Sequence, residues 1–155
     1  MFLIKLILGV FCIYTCVKIS TIKCDKIKEE YLFWSSVCIS CDSLVSNLSF
    51  KKSMVYDALN VDYPSFEYAK LISQYLKGDK LNFPKFLSEE DVLKLNTFLL
   101  EVGKSDSKTQ KNSILSYKSD FSKNLETSRS NYDKNYGVTR KVGFSIGVML
   151  MILVI

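Results

Sequence analysis

Two uncharged apolar runs, one near each end of the chain, limit its fold more than any other feature. Leu6 to Val17 is 12 residues without a charge, and Val142 to Ile155 is 14. With Lys5 and Lys18 extending their ammonium groups to either interface, residues 2–22 reach the ~20 residues that cross a bilayer as a helix. A single cation precedes this run, and no small-x-small cleavage site follows it, so residues 1–22 read as an uncleaved transmembrane anchor rather than a signal peptide. Tyr14 and Thr15 do not suit a lipoprotein signal at Cys16. Residues 140–155 read as a second, short membrane segment. As a helix, Val142–Ile155 covers about 21 Å, less than the ~30 Å hydrocarbon core. Gly143 and Gly147 form a small-xxx-small pair, a close-packing face for another membrane helix.

The chain between these ends carries no charge excess. The net charge of +5 comes from Lys5, Lys18, Lys23, Arg140 and Lys141, because residues 24–139 hold 16 basic and 16 acidic side chains. A nucleic-acid surface needs clustered cations on the folded part, so that class is excluded. The flanking cations set the topology instead. Lys18, Lys23, Lys26 and Lys28 follow the first segment, and Arg140 and Lys141 precede the second. The positive-inside rule then places residues 23–139 in the cytoplasm as a domain tethered at both ends. Five cysteines in that setting are not expected to form structural disulfides.

The chain has no histidine, which removes His-based acid–base catalysis, Ser/His/Asp and Cys/His pairs, and imidazole metal sites. Cys38-Ile-Ser-Cys41 is a C-x-x-C, but a thioredoxin-like role needs a βαβ context, and only Cys24 offers a third soluble thiolate for zinc. Both cysteines fall on an apolar helical seam and read as core. Gly103-Lys104-Ser105 lacks the upstream glycine of a phosphate-binding loop, since Phe98 stands there. Glu89-Glu90-Asp91 reads as first-turn acids that favour a helix dipole. Asn47-Leu48-Ser49 matches a glycosylation pattern, with Leu48 on the seam. No catalytic residue, cofactor, metal site or small-molecule substrate is expected.

Apolar spacing predicts helices throughout the middle, with no alternation that would mark a strand. Ile27, Tyr31, Trp34, Cys38, Cys41, Val45 and Leu48 step by 4, 3, 4, 3, 4 and 3 on a helix that Asp25 can cap or that continues from the membrane segment. A short helix is predicted around Ser53–Leu59. A third has Pro64 in its first turn and Gly78 at its end. Pro84 limits Leu81–Leu87 to one or two turns. Ser88 with Asp91 opens a helix carrying Val92, Leu95, Leu99 and Val102, closed by Gly103. After Ser105–Asp106 the chain is expected to be helical to about Tyr136, with Ile114, Tyr117, Phe121 and Leu125 on one side. The class is all-α, a membrane-tethered antiparallel helical bundle.

Phe98, Gly103, Ser105, Asp106 and Gln110, then a long polar helix with Tyr132, Lys134 and Tyr136, then Gly143, Gly147 and the Met149–Ile155 run resemble the stage III sporulation protein AB family. The resemblance covers roughly the last 60 residues and the layout of the whole chain. Where that family usually carries an aromatic-Gly-x-Thr-Pro-Leu-like segment, this chain has Ser49-Phe50-Lys51-Lys52-Ser53. The resemblance implies a non-enzymatic scaffold in the secretion-like complex linking mother cell and forespore during endospore formation. It implies a cytoplasmic domain similar to that of the type II secretion inner-membrane platform protein. It also implies docking of a secretion-type ATPase, the stage III sporulation protein AA, together with other stage III subunits. The expected location is the mother-cell (outer forespore) membrane, with the domain facing the mother-cell cytoplasm. Asp106 and Gln110 are candidate partner contacts, beside a local reading as helix cap and first-turn partner. Two other readings compete: a secretion or pilus platform subunit outside sporulation, and an exported thiol-redox protein.

Overall fold

The computed structural model describes residues 2–47, 53–104 and 107–154. Among these residues five helices follow one another: α1 (Phe2–Asn47), α2 (Ser53–Leu59), α3 (Phe66–Lys77), α4 (Glu89–Glu101) and α5 (Ser107–Val154). No strand occurs among the described residues, and the protein is all-α. α1 and α5 are each long and apolar enough to cross a membrane.

The chain divides into two units. Unit 1 comprises residues 1–28 and 128–155, and unit 2 comprises residues 29–127. The two long helices contribute to both. α1 is continuous through residue 25, so Asp25 caps nothing, and α5 continues past Tyr136 to Val154 without a break. The physical reason is that neither stretch contains a proline, and Gly137 alone is too weak a breaker to end a helix.

Unit 2 is built on an aromatic core. Phe33 meets Trp34, Tyr68 and Phe86 edge-on at centroid distances of 5.7, 5.4 and 5.5 Å. Phe121 meets Phe98 at 5.6 Å, Trp34 at 5.9 Å and Tyr117 at 6.0 Å. Such pairs add about 0.5–1.5 kcal/mol each beyond their buried area. The α1 contribution is wider than the seven-residue seam. Trp34, Cys38 and Cys41 are buried, but so are Phe33, Val37 and Leu44, while Val45 is only partly buried. Neighbours pack against α1 on more than one side, so two adjacent rows of side chains become core. Leu48 lies outside the described residues.

Local signals set most helix ends. Ser65 caps α3 by accepting from the Tyr68 N–H at 3.1 Å, and Gly78 ends it in the left-handed conformation, φ 73°. Pro64 therefore stands just before the cap rather than in the first turn. Ser88 accepts from the Asp91 N–H at 3.1 Å and donates to its carboxylate at 2.6 Å. α4 then ends at Glu101, with Val102 as its cap and Gly103 following at φ 85°. Leu81–Leu87 forms no helix. Its one regular feature is a turn in which the Leu87 N–H meets the Pro84 carbonyl at 3.2 Å. Within unit 2, α5 runs antiparallel to α1 and to α4: Trp34 faces Phe121 and Asp42 faces Lys118, while Asp91 meets Asn124 and Phe98 meets Tyr117.

Candidate functional site

In unit 1 the first and last apolar segments form an antiparallel helix pair held by glycine. A Cβ added to Gly143 would lie 2.5 Å from Ser20 Cβ, and one added to Gly147 would lie 3.0 Å from Ile13 Cα and 3.4 Å from Cys16 Cβ. A Cβ on Gly9 would meet the Met151 side chain at 2.8 Å. Two hydrogen bonds lie further along the same seam: Ser20 Oγ donates to the Thr139 carbonyl at 3.0 Å, and the Cys24 thiol to the Tyr136 carbonyl at 3.4 Å. Positions 9, 13, 16, 20 and 24 of α1 thus descend against 151, 147, 143, 139 and 136 of α5. Small residues on both helices of this seam let the backbones approach, as in lipid-embedded helix pairs. Around it, Phe11, Ile19, Phe144 and Ile152 are more than half exposed, a surface suited to hydrocarbon.

Unit 2 holds the residues around the end of α4. Asp106 lies outside the described residues. Gln110 is 5% exposed, and its Nε2 has no hydrogen-bond partner among the described residues. A small cavity of about 20 Å³ adjoins it, walled by Phe98, Val102, Ile114 and Tyr117, with Tyr117 donating its hydroxyl proton to Glu101 at 3.0 Å. A space of that size holds about one water. On the outside of α4, Leu93 is 66% exposed and Leu100 51%.

The C-x-x-C cysteines sit in the core as free thiols. Burial raises the Cys38 pKa and pushes that of Cys41 up to about 12. Reactive cysteines need the reverse shift, toward thiolate. Among the described residues, no three Cys, Asp or Glu side chains come together to hold a metal.

A polar network that the sequence reading did not foresee joins α1 to α3. The Glu29 carboxylate accepts from the Ser65 hydroxyl at 2.6 Å and from the Glu67 N–H at 3.1 Å. Ser36 Oγ, which donates to the Leu32 carbonyl at 2.8 Å, accepts from the Ser65 N–H at 3.1 Å. Ser40 Oγ donates to the Val37 carbonyl at 2.7 Å, so the 2.6 Å contact with Tyr68 is one in which the phenol donates. The available signal was Ser65 itself, an N-cap residue directly before an apolar helix start.

Comparison with family models matches residues 71–155, more than half of the chain, to stage III sporulation protein AB. Comparison with curated proteins and with solved structures gave no match.

Proposed function

Given that the chain belongs to the stage III sporulation protein AB family, which gives it a role at stage III of sporulation, we propose that it is a non-enzymatic membrane scaffold. In this reading, unit 1 anchors it in the mother-cell (outer forespore) membrane. Residues 29–127 lie on the mother-cell cytoplasmic side and dock a secretion-type ATPase, the stage III sporulation protein AA. The complex so formed links mother cell and forespore. The observation that carries the proposal is the antiparallel pairing of the two apolar segments, Gly9 against Met151 and Ser20 against Thr139. In such a pair, the end of the first segment and the start of the second lie at the same level, so both entrances to residues 29–127 fall on one side of a membrane. The cations at that level, Lys18, Lys23, Arg140 and Lys141, favour the cytoplasmic side.

Docking is assigned to the exposed side of α4, where Leu93 and Leu100 lie seven residues apart on one stripe. Unpaired apolar side chains at this spacing suit a partner helix or groove. Coupling an ATPase to a membrane needs packing and a firm anchor rather than a reacting group, which agrees with thiols held in their protonated form.

The test is deletion of the gene in its host with complementation, scoring sporulation stage by stage. Arrest after engulfment with intact vegetative growth is expected. Full-yield sporulation would sink the proposal in favour of a secretion platform outside sporulation. A complementing copy with Leu93→Glu and Leu100→Glu is expected to be membrane-bound and folded yet unable to retain the ATPase. Retention at the wild-type level would remove α4 as the docking face.

A further inference from the structure

Charge is divided unevenly between the two units. Residues 1–28 and 128–155 hold nine basic side chains and two acidic ones, Asp25 and Asp133, a net of +7. Residues 29–127 hold 12 basic and 14 acidic side chains, a net of −2, which together give the chain its +5. The ion pairs found among the described residues, Lys94–Glu90, Lys118–Asp42 and Lys123–Asp120, all fall within residues 29–127. Lys18, Lys23, Lys26 and Lys28 of α1 are exposed and take part in none of these ion pairs among the described residues. The same holds on α5 for Arg129, Lys134, Arg140 and Lys141. An excess of this size next to an apolar segment calls for negative charge from outside the chain.

The placement of these cations indicates what supplies it. At about 100° per residue, Lys26, Lys23 and Lys28 stand at about 80°, 140° and 280° from Lys18 around α1. Part of the circle is taken up by Cys16, Ser20 and Cys24 packing on α5. On α5, Lys134 and Lys141 stand about a third of a turn from Arg140. A protein partner would be met by cations on one face. Here they span the free arc of α1 and continue onto one side of α5, just beyond the apolar segments. Tyrosines share the band: the Lys18 ammonium lies 5.8 Å from the Tyr14 ring centre, and the Tyr132 and Tyr136 rings pair at 4.9 Å. Amphipathic rings and long cations are the side chains that settle at headgroup level.

We infer that the basic girdle around residues 18–28 and 129–141 binds a ring of anionic phospholipid headgroups, so that this scaffold requires an anionic leaflet for stable seating. The inference rests on the membrane reading above and adds the lipid class. Phosphodiester headgroups with a net negative charge neutralise the girdle, whereas zwitterionic ones bring a compensating cation. Each Lys or Arg near such a surface strengthens binding about fivefold, and salt weakens it.

The full-length protein in mild detergent, titrated with phosphatidylglycerol or phosphatidylcholine and read by native mass spectrometry, tests this. Several phosphatidylglycerol molecules are expected to be retained at concentrations where phosphatidylcholine is not. Substituting Lys23→Gln, Lys26→Gln, Arg140→Gln and Lys141→Gln together is expected to weaken that retention by at least a hundredfold, with unchanged helix content by circular dichroism. Equal retention of the two lipids, or an unaltered preference in the substituted protein, would overturn the inference. So would displacement of the lipid by inorganic phosphate at matched ionic strength. Flotation with vesicles of pure phosphatidylcholine separates the two readings. Co-flotation without any phosphatidylglycerol preference overturns the lipid inference alone, and failure to float with either lipid overturns the membrane reading together with it.

Discussion

The Glu29 carboxylate on α1 accepts the Ser65 hydroxyl proton at 2.6 Å, and so joins the cap of α3 to a helix 36 positions earlier in the chain. Ser65 Oγ also accepts from the Tyr68 N–H, and Glu29 also accepts from the Glu67 N–H, so two first-turn donors are satisfied by one linked pair. Ser65 is buried; its loss removes the acceptor of the Tyr68 N–H, and loss of Glu29 removes the acceptor of the Ser65 hydroxyl and of the Glu67 N–H.

Ser65→Ala and Glu29→Ala are each expected to destabilise residues 29–127 by about 1 kcal/mol, within the usual 0.5–2 kcal/mol for a lost cap. Because they share one hydrogen bond, the double variant should cost less than the two single losses added, by roughly 0.5 kcal/mol or more. Denaturant unfolding followed at Trp34 measures all three. Strict additivity would show that the pair is not coupled.

Alkaline pH should loosen the same unit. Burial pushes both Cys41 and Tyr63 up to about 12, from ordinary values near 9 and 10. Folded pKa values above the unfolded ones mean that the contribution of these groups is complete below about pH 9. It is lost progressively as pH rises toward 12. A melting temperature that is steady from neutral pH to about 8.5 and then falls is the expected profile. Cys41→Ala should flatten part of that fall. Cys38 and Cys41 should also react with a thiol dye only after unfolding, and rapid labelling of the native protein would contradict their burial.

Glu30 carries the reverse of a stabilising shift for a carboxylate. Its pKa is raised, first by burial and then by the nearby Asp91 carboxylate. A raised carboxyl pKa contributes stability only at low pH, and at neutral pH the ionised form costs the folded state. Glu30→Gln is therefore expected to raise the melting temperature at pH 7 slightly, with the gain shrinking as pH falls through the raised pKa of Glu30 and gone by about pH 4. An unchanged difference between pH 7 and pH 4 would show that charge is not the cause.

The antiparallel pair of apolar segments rests on three glycines. At Gly143 the obstructing atoms include Ser20 Cβ at 2.5 Å, which no rotamer change can move away. Gly143→Leu should force the helices apart and break the Ser20–Thr139 hydrogen bond. Gly137→Leu, where nothing lies within 4 Å, is the matched control and should be nearly silent. A cost of about 1–3 kcal/mol for overpacking is expected for Gly143→Leu, measured by thermal denaturation in lipid nanodiscs. Equal melting of the two variants would argue against close packing at Gly143.

Helix α2 at Ser53–Leu59, the Gly78 stop and the Ser88–Asp91 cap were all legible in the sequence, as was the row Ile114, Tyr117, Phe121, Leu125. Each depends on neighbours within about one helical turn, where a cap, a glycine or a 3.6-residue period acts regardless of the rest of the chain. The Cys38–Cys41 pair could likewise be assigned to core from its place on an apolar period.

Other features had no local cause. Phe33, Val37 and Leu44 lie one step off the seam, and they are core only because neighbouring helices pack on more than one side of α1. Glu29 looks like any exposed acid in sequence, and only the approach of α3 gives its carboxylate two donors. Gly143 and Gly147 announced close packing, but the sequence did not say against what. Placing them on Ser20, Cys16 and Ile13 required the two ends of the chain to meet in antiparallel register. Sequence alone thus determined the all-α class, most helix ends and two segments fit for lipid, because those follow from short-range periodicity, capping and apolar length. Tertiary structure decided which polar groups are satisfied and which small residues matter, because both depend on atoms brought together from positions more than a hundred residues apart, or from separate helices.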